Sequence, residues 1–578
     1  MKLQFLTALA ALAVAAQVLA ADPNAGRGVF RAQCALCHSA QPGDNGGAQG
    51  PNLYRVFGRR AAANPNFGYT PALKASGLTW DAVTLERFLA APTKVVPGSA
   101  MVIAVPDATQ RGNLIAYLQA VTDGTFTPAA PLARGPRAPI APPPGSPGIG
   151  KPMKGFDDWK NDAPGRVHRI DLAALPAPYD TPSSAKFPRL VPRPPGARLQ
   201  LPPGFSIEVF AADVPFARKM LLAPNGDILI SETQANKVAV MRPSADGTRA
   251  ALVATFAQGL DLPYGLAFYP SAARPRWLYV AETNRVVRYA YRPGDLAASG
   301  VPEILVPQLS PVAGGGHFTR DIAFSPDGRR MFVSVGSQSN IAEDMPRKTP
   351  QEIKAWEAEH GFGAAWGNDV NRADVLVFAL HQGRPGPAQR FATGIRNCVT
   401  LTVQPVTGAL WCTTNERDML GDDLVPDYST RVQEGAWYGW PWYYMGNHED
   451  PRHAGERPDL AGRVTNPDVP YQAHSASLGL TFYTATTGSS AFPKEYVGDA
   501  FATFHGSWNR AFRTGHKVVR VRMRNGVPTG EYDDFLTGFI VDDGDAWGRP
   551  VGLLVNADGS LLLSDDAANL VYRISYRH

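Results

Sequence analysis

The chain has 578 residues, of which 44% are hydrophobic and 19% charged, and its 56 lysines and arginines against 51 aspartates and glutamates leave a formal charge of +5. That is the composition of a soluble globular protein, slightly low in charge, and too long for one small domain unless a propeller or barrel absorbs several hundred residues. So small a positive excess, with no basic run interleaved with aromatics, argues against nucleic acid as a partner.

At the N-terminus, Lys2 precedes the almost wholly apolar Leu3 to Leu19, and Val18-Leu19-Ala20 supplies small residues for cleavage. The pattern predicts a signal peptide over residues 1–20 and export to the periplasm. An uncleaved leader of this length sits at the short limit for a membrane anchor, which leaves peripheral membrane association open. Next comes Cys34-Ala35-Leu36-Cys37-His38. C-x-x-C-H is the attachment site of a c-type haem: the two thiols form thioethers with the haem vinyl groups and the imidazole faces the iron. A haem that cycles electrons without binding oxygen needs a second axial ligand, and a thioether favours Fe(II). Met101, in a loop after Pro97-Gly98, lies far enough along the chain to reach the opposite haem face.

The order Cys37-His38, Gly50-Pro51-Asn52-Leu53, Phe57-Gly58-Arg59, Tyr69, Leu78-Thr79-Trp80, Met101 and the helical pattern Asn113–Leu118 resembles the class I cytochromes c. The resemblance covers residues 24–122 and implies a small all-α cytochrome domain. By it, Cys34 and Cys37 bond the haem, His38 and Met101 ligate its iron, and the Pro51 carbonyl orients His38 from behind. Tyr69 and Trp80 would face a propionate with Arg59 nearby, and Leu73 stands where related cytochromes often carry a polar residue.

Residues 123–190 are rich in proline, stiffest at Pro142-Pro143-Pro144, and read as an extended tether whose later part wraps onto the following domain. From residue 191 to the C-terminus the texture is short apolar strands and tight turns. Six degenerate repeats run from Leu221–Glu232 to Leu553–Ser564, each an apolar strand, a turn with Pro, Asn, Asp or Gly, and a second apolar strand. They predict an all-β six-bladed β-propeller, closed by pairing of Phe205–Phe210 with Val571–Ser575. Thr349, Pro350, Glu352 and Gly361 mark one helix outside the blades. Cys398–Val403 and Ala409–Thr413 form a hairpin that brings Cys398 and Cys412 to cross-strand distance, either as a disulfide or as two buried thiols.

Four loop segments carry polar residues without an evident structural duty: Gly314-Gly315-Gly316-His317 up to Arg320, Gly394-Ile395-Arg396-Asn397, His505-Gly506-Ser507-Trp508-Asn509-Arg510, and Trp547-Gly548-Arg549. Arginines with aromatic rings from separate blades suit a flat polyanion, since guanidinium pairs with carboxylates and stacks on planes. Each of these residues also has a plain reading, His317 as a satisfied turn residue and the arginines as braces between blades. Together with Asn415–Asp418 and Tyr438–Pro441, the segments resemble the soluble pyrroloquinoline-quinone (PQQ)-dependent glucose and sorbosone dehydrogenases, the sorbosone-type branch more closely. That resemblance implies sugar oxidation at the anomeric or aldehyde carbon. It makes His317 the general base, has Gln338, Arg396 and Asn397 hold the quinone, and gives Arg510 and Arg549 its carboxylates. The carbonyls of Arg417 and Asp418 would ligate Ca²⁺, although this loop departs from the glucose-oxidising pattern.

Joined to a haem domain, such a propeller reads as a periplasmic quinohaemoprotein dehydrogenase that passes electrons from a sugar to its own haem. A soluble cytochrome, a quinone or a terminal oxidase would take them onward. Two other readings stand beside it: a calcium-dependent lactone hydrolase on a similar propeller, and a non-catalytic sugar-binding propeller fused to an electron-transfer cytochrome.

Overall fold

The computed structural model describes residues 21–34, 38, 40, 51–63, 69, 71–97, 99, 101, 104–126, 158–181, 183–184, 186, 188–312, 316–342 and 345–577. The leader, Cys37, Gly314, Gly315 and the prolines 142–144 lie outside them. The chain divides into two compact units, 1–149 with 179–187, and 150–178 with 188–578. Among the described residues no helix is long and apolar enough to cross a membrane.

In the first unit, the helices Pro23–Val29 and Ala108–Asp123 cross closely, the former capped by Asp22 and the latter by Asp107. Gly26 makes the crossing possible, because a Cβ there would meet the Asn113 carbonyl oxygen at 1.9 Å. Phe30, Trp80, Phe88, Leu114, Tyr117 and Leu118 fill the core, with Met101 packed against it.

The second unit is a six-bladed β-propeller. From innermost strand outward, blade 1 comprises Ala217–Leu222, Ile228–Glu232, Lys237–Pro243 and Ala250–Gln258. Blade 2 comprises Leu266–Tyr269, Trp277–Ala281, Val286–Ala290 and Glu303–Val306, and blade 3 Ile322–Phe324, Arg330–Val335, Asp374–His381 and Arg384–Ala392. Blade 4 uses Cys398–Val403, Leu410–Thr414, Pro426–Arg431 and Val469–Ala473, and blade 5 Ser477–Phe482, Ala500–Phe504, Lys517–Arg524 and Val527–Leu536. In blade 6, Pro550–Val555, Leu561–Asp565 and Leu570–Tyr576 are completed by Phe205–Ala211 from the start of the domain. The expected closing pair forms, with Val571 opposite Ala211 and Tyr576 opposite Phe205.

Second strands such as Ile228–Glu232 and Leu561–Asp565 are buried along their whole length, whereas an outermost strand such as Arg384–Ala392 is largely exposed. This is the pattern of strands covered on both faces inside a ring and solvated at its rim. Tyr264, Val399, Leu478 and Val551 meet from four blades. The helix Pro350–His360 forms with the predicted capping box of Thr349 and Glu352 and stops at Gly361. It lies in the long insertion of blade 3, where Trp356 packs with the Trp366, Trp437 and Trp442 cluster. In blade 4, Cys398 and Cys412 are disulfide-bonded with Cα atoms 5.7 Å apart. They are not directly opposite: Cys412 faces Leu401, and the register shifts between Cys398 and Thr400.

Residues 158–175, which the proline content marks as tether, run along the propeller. Val167 and His168 add a fifth strand to blade 5, opposite Asp533 and Tyr532. Beneath it, fully buried Lys517 reaches Asp162 at 2.7 Å and Asp534 at 2.7 Å, and His168 bonds Asp534 at 3.0 Å. Removing the cation would leave two buried carboxylates facing each other. Lys517→Met should therefore cost about 3–5 kcal/mol and lower the midpoint of thermal unfolding, read by circular dichroism; an unchanged midpoint would contradict it.

Candidate active site

Segments of blades 3 to 6 and of blade 1 bring the sequence-predicted residues into three networks. His317 enters blade 3, and its backbone N–H donates to the Ser337 carbonyl at 3.0 Å. Its Nδ1 lies 3.0 Å from the same oxygen and 3.1 Å from Ser337 Oγ. Because Ser337 O accepts only, the ring proton sits on Nδ1 and the lone pair on Nε2. Burial, the nearby Arg396 guanidinium and, more weakly, Arg320 and Arg372 hold the imidazole well below its ordinary pKa, against the opposing bond to Ser337. The half-buried ring is thus a neutral proton acceptor at neutral pH.

Gly336 lets this arrangement exist. A Cβ there would meet Asn397 Oδ1 at 2.4 Å and His317 Cβ at 2.7 Å. Asn397 Oδ1 is buried without a hydrogen-bond donor. Gln338 follows on the same segment, its backbone N–H held by Asp369 Oδ1 at 2.6 Å.

The second network centres on Asn340, a residue that sequence reasoning passed over. Its Oδ1 accepts from Asp418 N at 2.9 Å and Arg396 Nη2 at 3.0 Å, its Nδ2 donates to the Asp418 carbonyl at 3.0 Å, and its own carbonyl accepts from Arg396 Nε and Trp440 Nε1. Arg396 also donates to the carbonyls of Asn415 and Glu416 and to Asp418 Oδ2 at 3.2 Å. It therefore braces the loop 415–418 from within. Arg417 forms a buried bidentate pair with Asp450 at 2.7 and 3.0 Å. Arg510 donates to the Asp422 carbonyl and pairs with Asp423 at 2.7 Å, and Asn509 Oδ1 accepts from Met419 N. Burial alone would lower His474, but Asp418, 3.4 Å from its Nδ1, more than offsets that and holds it above its ordinary value.

Arg549 stands in a chain of side chains from three blades. Its Nη2 donates to His505 Nδ1 at 2.8 Å, His505 Nε2 donates to Asp566 Oδ1 at 2.8 Å, and Asp566 Oδ2 takes Arg218 at 2.6 Å. Burial and Arg549 push the His505 pKa down to about 4, so it remains neutral and fixed in this tautomer. Arg218 lies over the ring of Phe318, the residue after His317, at 5.7 Å. The Nε atoms of Arg218, Arg320 and Arg549 and Nη2 of Arg320 are buried with no acceptor among the described residues. Only the residue type of Arg218 and Asp566 was visible beforehand, since their pairing spans 348 positions.

The carbonyl of Asp418, expected to bind Ca²⁺, already accepts from Asn340 and from the Arg417 guanidinium, with Arg396 beside it. A carbonyl already taken by these donors does not fit as a ligand of a divalent metal. Among the described residues, no group of three or more His, Cys, Asp or Glu side chains is placed to hold one.

In the first unit, Cys34 is buried and His38 Nδ1 lies 2.8 Å from the Pro51 carbonyl, leaving the Nε2 lone pair for a ligand. Arg59 donates to the Asn52 carbonyl at 2.6 Å.

A six-bladed propeller carrying a neutral histidine among buried arginines, on one chain with a small helical unit, has the architecture of a two-domain redox protein. The chain belongs to the TrAA12-like family, whose model matches residues 199–434 and 453–577, and its N-terminal region to the cytochromes c. Cytochrome c2 of Rhodoblastus acidophilus is 44% identical over 108 residues, 18% of this chain and 99% of that protein. The holo PQQ domain of pyranose dehydrogenase from Coprinopsis cinerea superposes with a TM-score of 0.53 at 20% identity, covering 66% of this chain and 98% of that one. An uncharacterised protein of Borreliella burgdorferi is 27% identical over 263 residues, 45% of this chain, and the chain spans 61% of its length.

Gly336→Ala should destabilise the fold by about 1–3 kcal/mol and displace His317 or Asn397 from their native positions. A crystal structure of the variant checks this, and an undisturbed His317 would contradict it.

Proposed function

We propose that the protein is a periplasmic quinohaemoprotein that oxidises a sugar at its anomeric or aldehyde carbon, using bound PQQ, and delivers the electrons to a c-type haem held covalently through Cys34 and Cys37. The observation that carries this reading is the pairing of a neutral histidine, its Nε2 lone pair available, with arginines whose buried N–H groups lack acceptors. Unmatched buried donors are costly. Arg218, Arg320 and Arg549 supply such donors, and Asn397 Oδ1 supplies an unmatched acceptor, a set that suits a planar tricarboxylate with its own N–H. When bound, PQQ takes two electrons from a substrate and releases them singly.

The rest of the chemistry belongs to the chain. Oxidation of a hydroxyl at C1 to the lactone releases two electrons and two protons. His317 Nε2 takes the hydroxyl proton, while Ser337 holds the ring by Nδ1 so that its lone pair keeps one direction. Arg396 and Asn340 keep the neighbouring loop rigid. In the haem unit, His38, oriented by Pro51, and Met101 are the residues to ligate iron. The linkage of the two units replaces a diffusing acceptor by one at high effective concentration. A soluble cytochrome, a membrane quinone or a terminal oxidase then receives the electrons.

The test is to load the haem-containing protein with PQQ and follow haem reduction spectrally over a panel of aldoses, sorbosone and simple alcohols. At least one sugar should reduce the haem. His317→Ala should slow that reduction by about 10²–10⁴-fold and leave the dithionite-reduced haem spectrum unchanged. Failure of every substrate with PQQ bound stoichiometrically would overturn the proposal and favour a non-catalytic propeller.

A further inference from the structure

We infer that Arg320 is a positioning residue of the proton acceptor: its guanidinium pins the backbone of His317 and, together with Arg396 and Arg372, adds buried positive charge beside the ring that disfavours its protonation. The inference rests on the reading of His317 as the group that takes the substrate proton.

Arg320 is wholly buried, at 0% exposure. Its Nη1 donates to the carbonyl oxygens of His317 at 2.6 Å and Thr319 at 2.7 Å. Its Nε and Nη2 have no acceptor. Those two groups share one edge of the guanidinium, the edge that ordinarily receives a carboxylate side-on. Among the described residues no ion pair forms there. The obvious partner, Asp321, is the next residue, yet its carboxylate turns to Lys219 at 2.7 Å and to the backbone N–H groups of Leu401 at 2.8 Å and Ile322 at 2.9 Å. A residue with a purely structural duty at this position would be neutral or paired, because an uncompensated buried cation is strongly unfavourable.

What that charge acts on is set by its neighbours. Arg372, also wholly buried, lies close enough to repel Arg320, and itself donates to Ser310 Oγ at 3.3 Å and the Val312 carbonyl at 3.1 Å. Asp261 attracts Arg320 from a distance without forming an ion pair. The charged groups that act most strongly on His317 are Arg396, Arg320 and Arg372, all positive. The carboxylates nearby are engaged elsewhere, Asp369 with the Gln338 N–H and Asp418 with Arg396 and His474. A proton arriving at Nε2 would thus create a fourth cation in a buried cluster. The resting ring stays deprotonated there, and the imidazolium formed during turnover returns its proton readily, resetting the base.

Arg320→Gln keeps a donor toward His317 O and removes the charge; Arg320→Lys keeps the charge and removes the planar fork. In the haem-loaded, PQQ-free protein with ¹³C-labelled histidine, and with His317→Gln to assign the signal, His317 should titrate about one pH unit higher in Arg320→Gln than in the native chain. In Arg320→Lys it should titrate within a few tenths of the native value. After PQQ loading, the acid limb of the kcat/KM profile for haem reduction should shift by the same amount in Arg320→Gln. Folding of each variant is checked by its haem spectrum and circular dichroism. An unchanged His317 titration in folded Arg320→Gln overturns the inference. Retained turnover in His317→Ala would instead overturn the role of His317, while the titration still reports whether Arg320 governs its charge. If Arg320→Gln does not fold, Arg320→Met takes its place, with an upward shift expected and an unchanged titration again overturning the inference.

Discussion

Blade 6 is built from both ends of the domain, and the site depends on that join. Its three inner strands come from residues 550–576, and its outer strand is Phe205–Ala211. Without that strand the last blade would end in an open row of backbone donors and acceptors, and the ring would have no fixed circumference. The junction is packed as well as hydrogen-bonded. Phe205 sits among Phe492, Tyr496, Phe535 and Tyr576, and Ser206 Oγ meets Ser575 Oγ at 3.0 Å. Once the circumference is set, Arg218 of blade 1 and Asp566 of blade 6 are adjacent although they are 348 positions apart. Lys219 likewise reaches across to Asp321 of blade 3.

Closure also concentrates charge. Arg218, Arg320, Arg372 and Arg396 are buried and Arg549 is half-buried, and they come from different parts of the ring. Arg218 pairs with Asp566 and Arg396 with Asp418. In water such a group of cations would be screened and inconsequential, but in a low-dielectric setting each one acts on its neighbours. The two histidines that face it respond alike. His317 and His505 are both held neutral, each with its tautomer set by one hydrogen bond, to the Ser337 carbonyl and to Asp566 respectively.

The propeller was legible in the sequence because its signal is repetitive: an apolar strand, a turn, another apolar strand, six times, with complementary strands at the two ends. The cap of the helix Pro350–His360 was legible because it is local, four residues with fixed roles. The strand Val167–His168 was not, because two residues carry no periodicity and its partner lies more than 360 positions away. The site was legible as a set of residue types in loops. Its connections were not, since nothing in Asn340 marks it as the hub between Arg396 and Asp418.

Hydrogen-bond satisfaction separates what residue type could not. Motif reasoning treats Arg396, Arg510 and Arg549 alike, as arginines that enter blades. In the folded chain, Arg396 has acceptors for Nε, Nη1 and Nη2 within the protein, and Arg510 is tied to Asp422, Asp423 and Phe512. Arg549 keeps an unmatched Nε, and Arg320, which no motif assignment singled out, keeps a whole edge. A satisfied buried arginine stabilises the loops around it. An unsatisfied one destabilises the fold unless a ligand or a neighbouring reacting group uses its charge. The working cations of this site are therefore the ones whose hydrogen bonds the fold leaves incomplete.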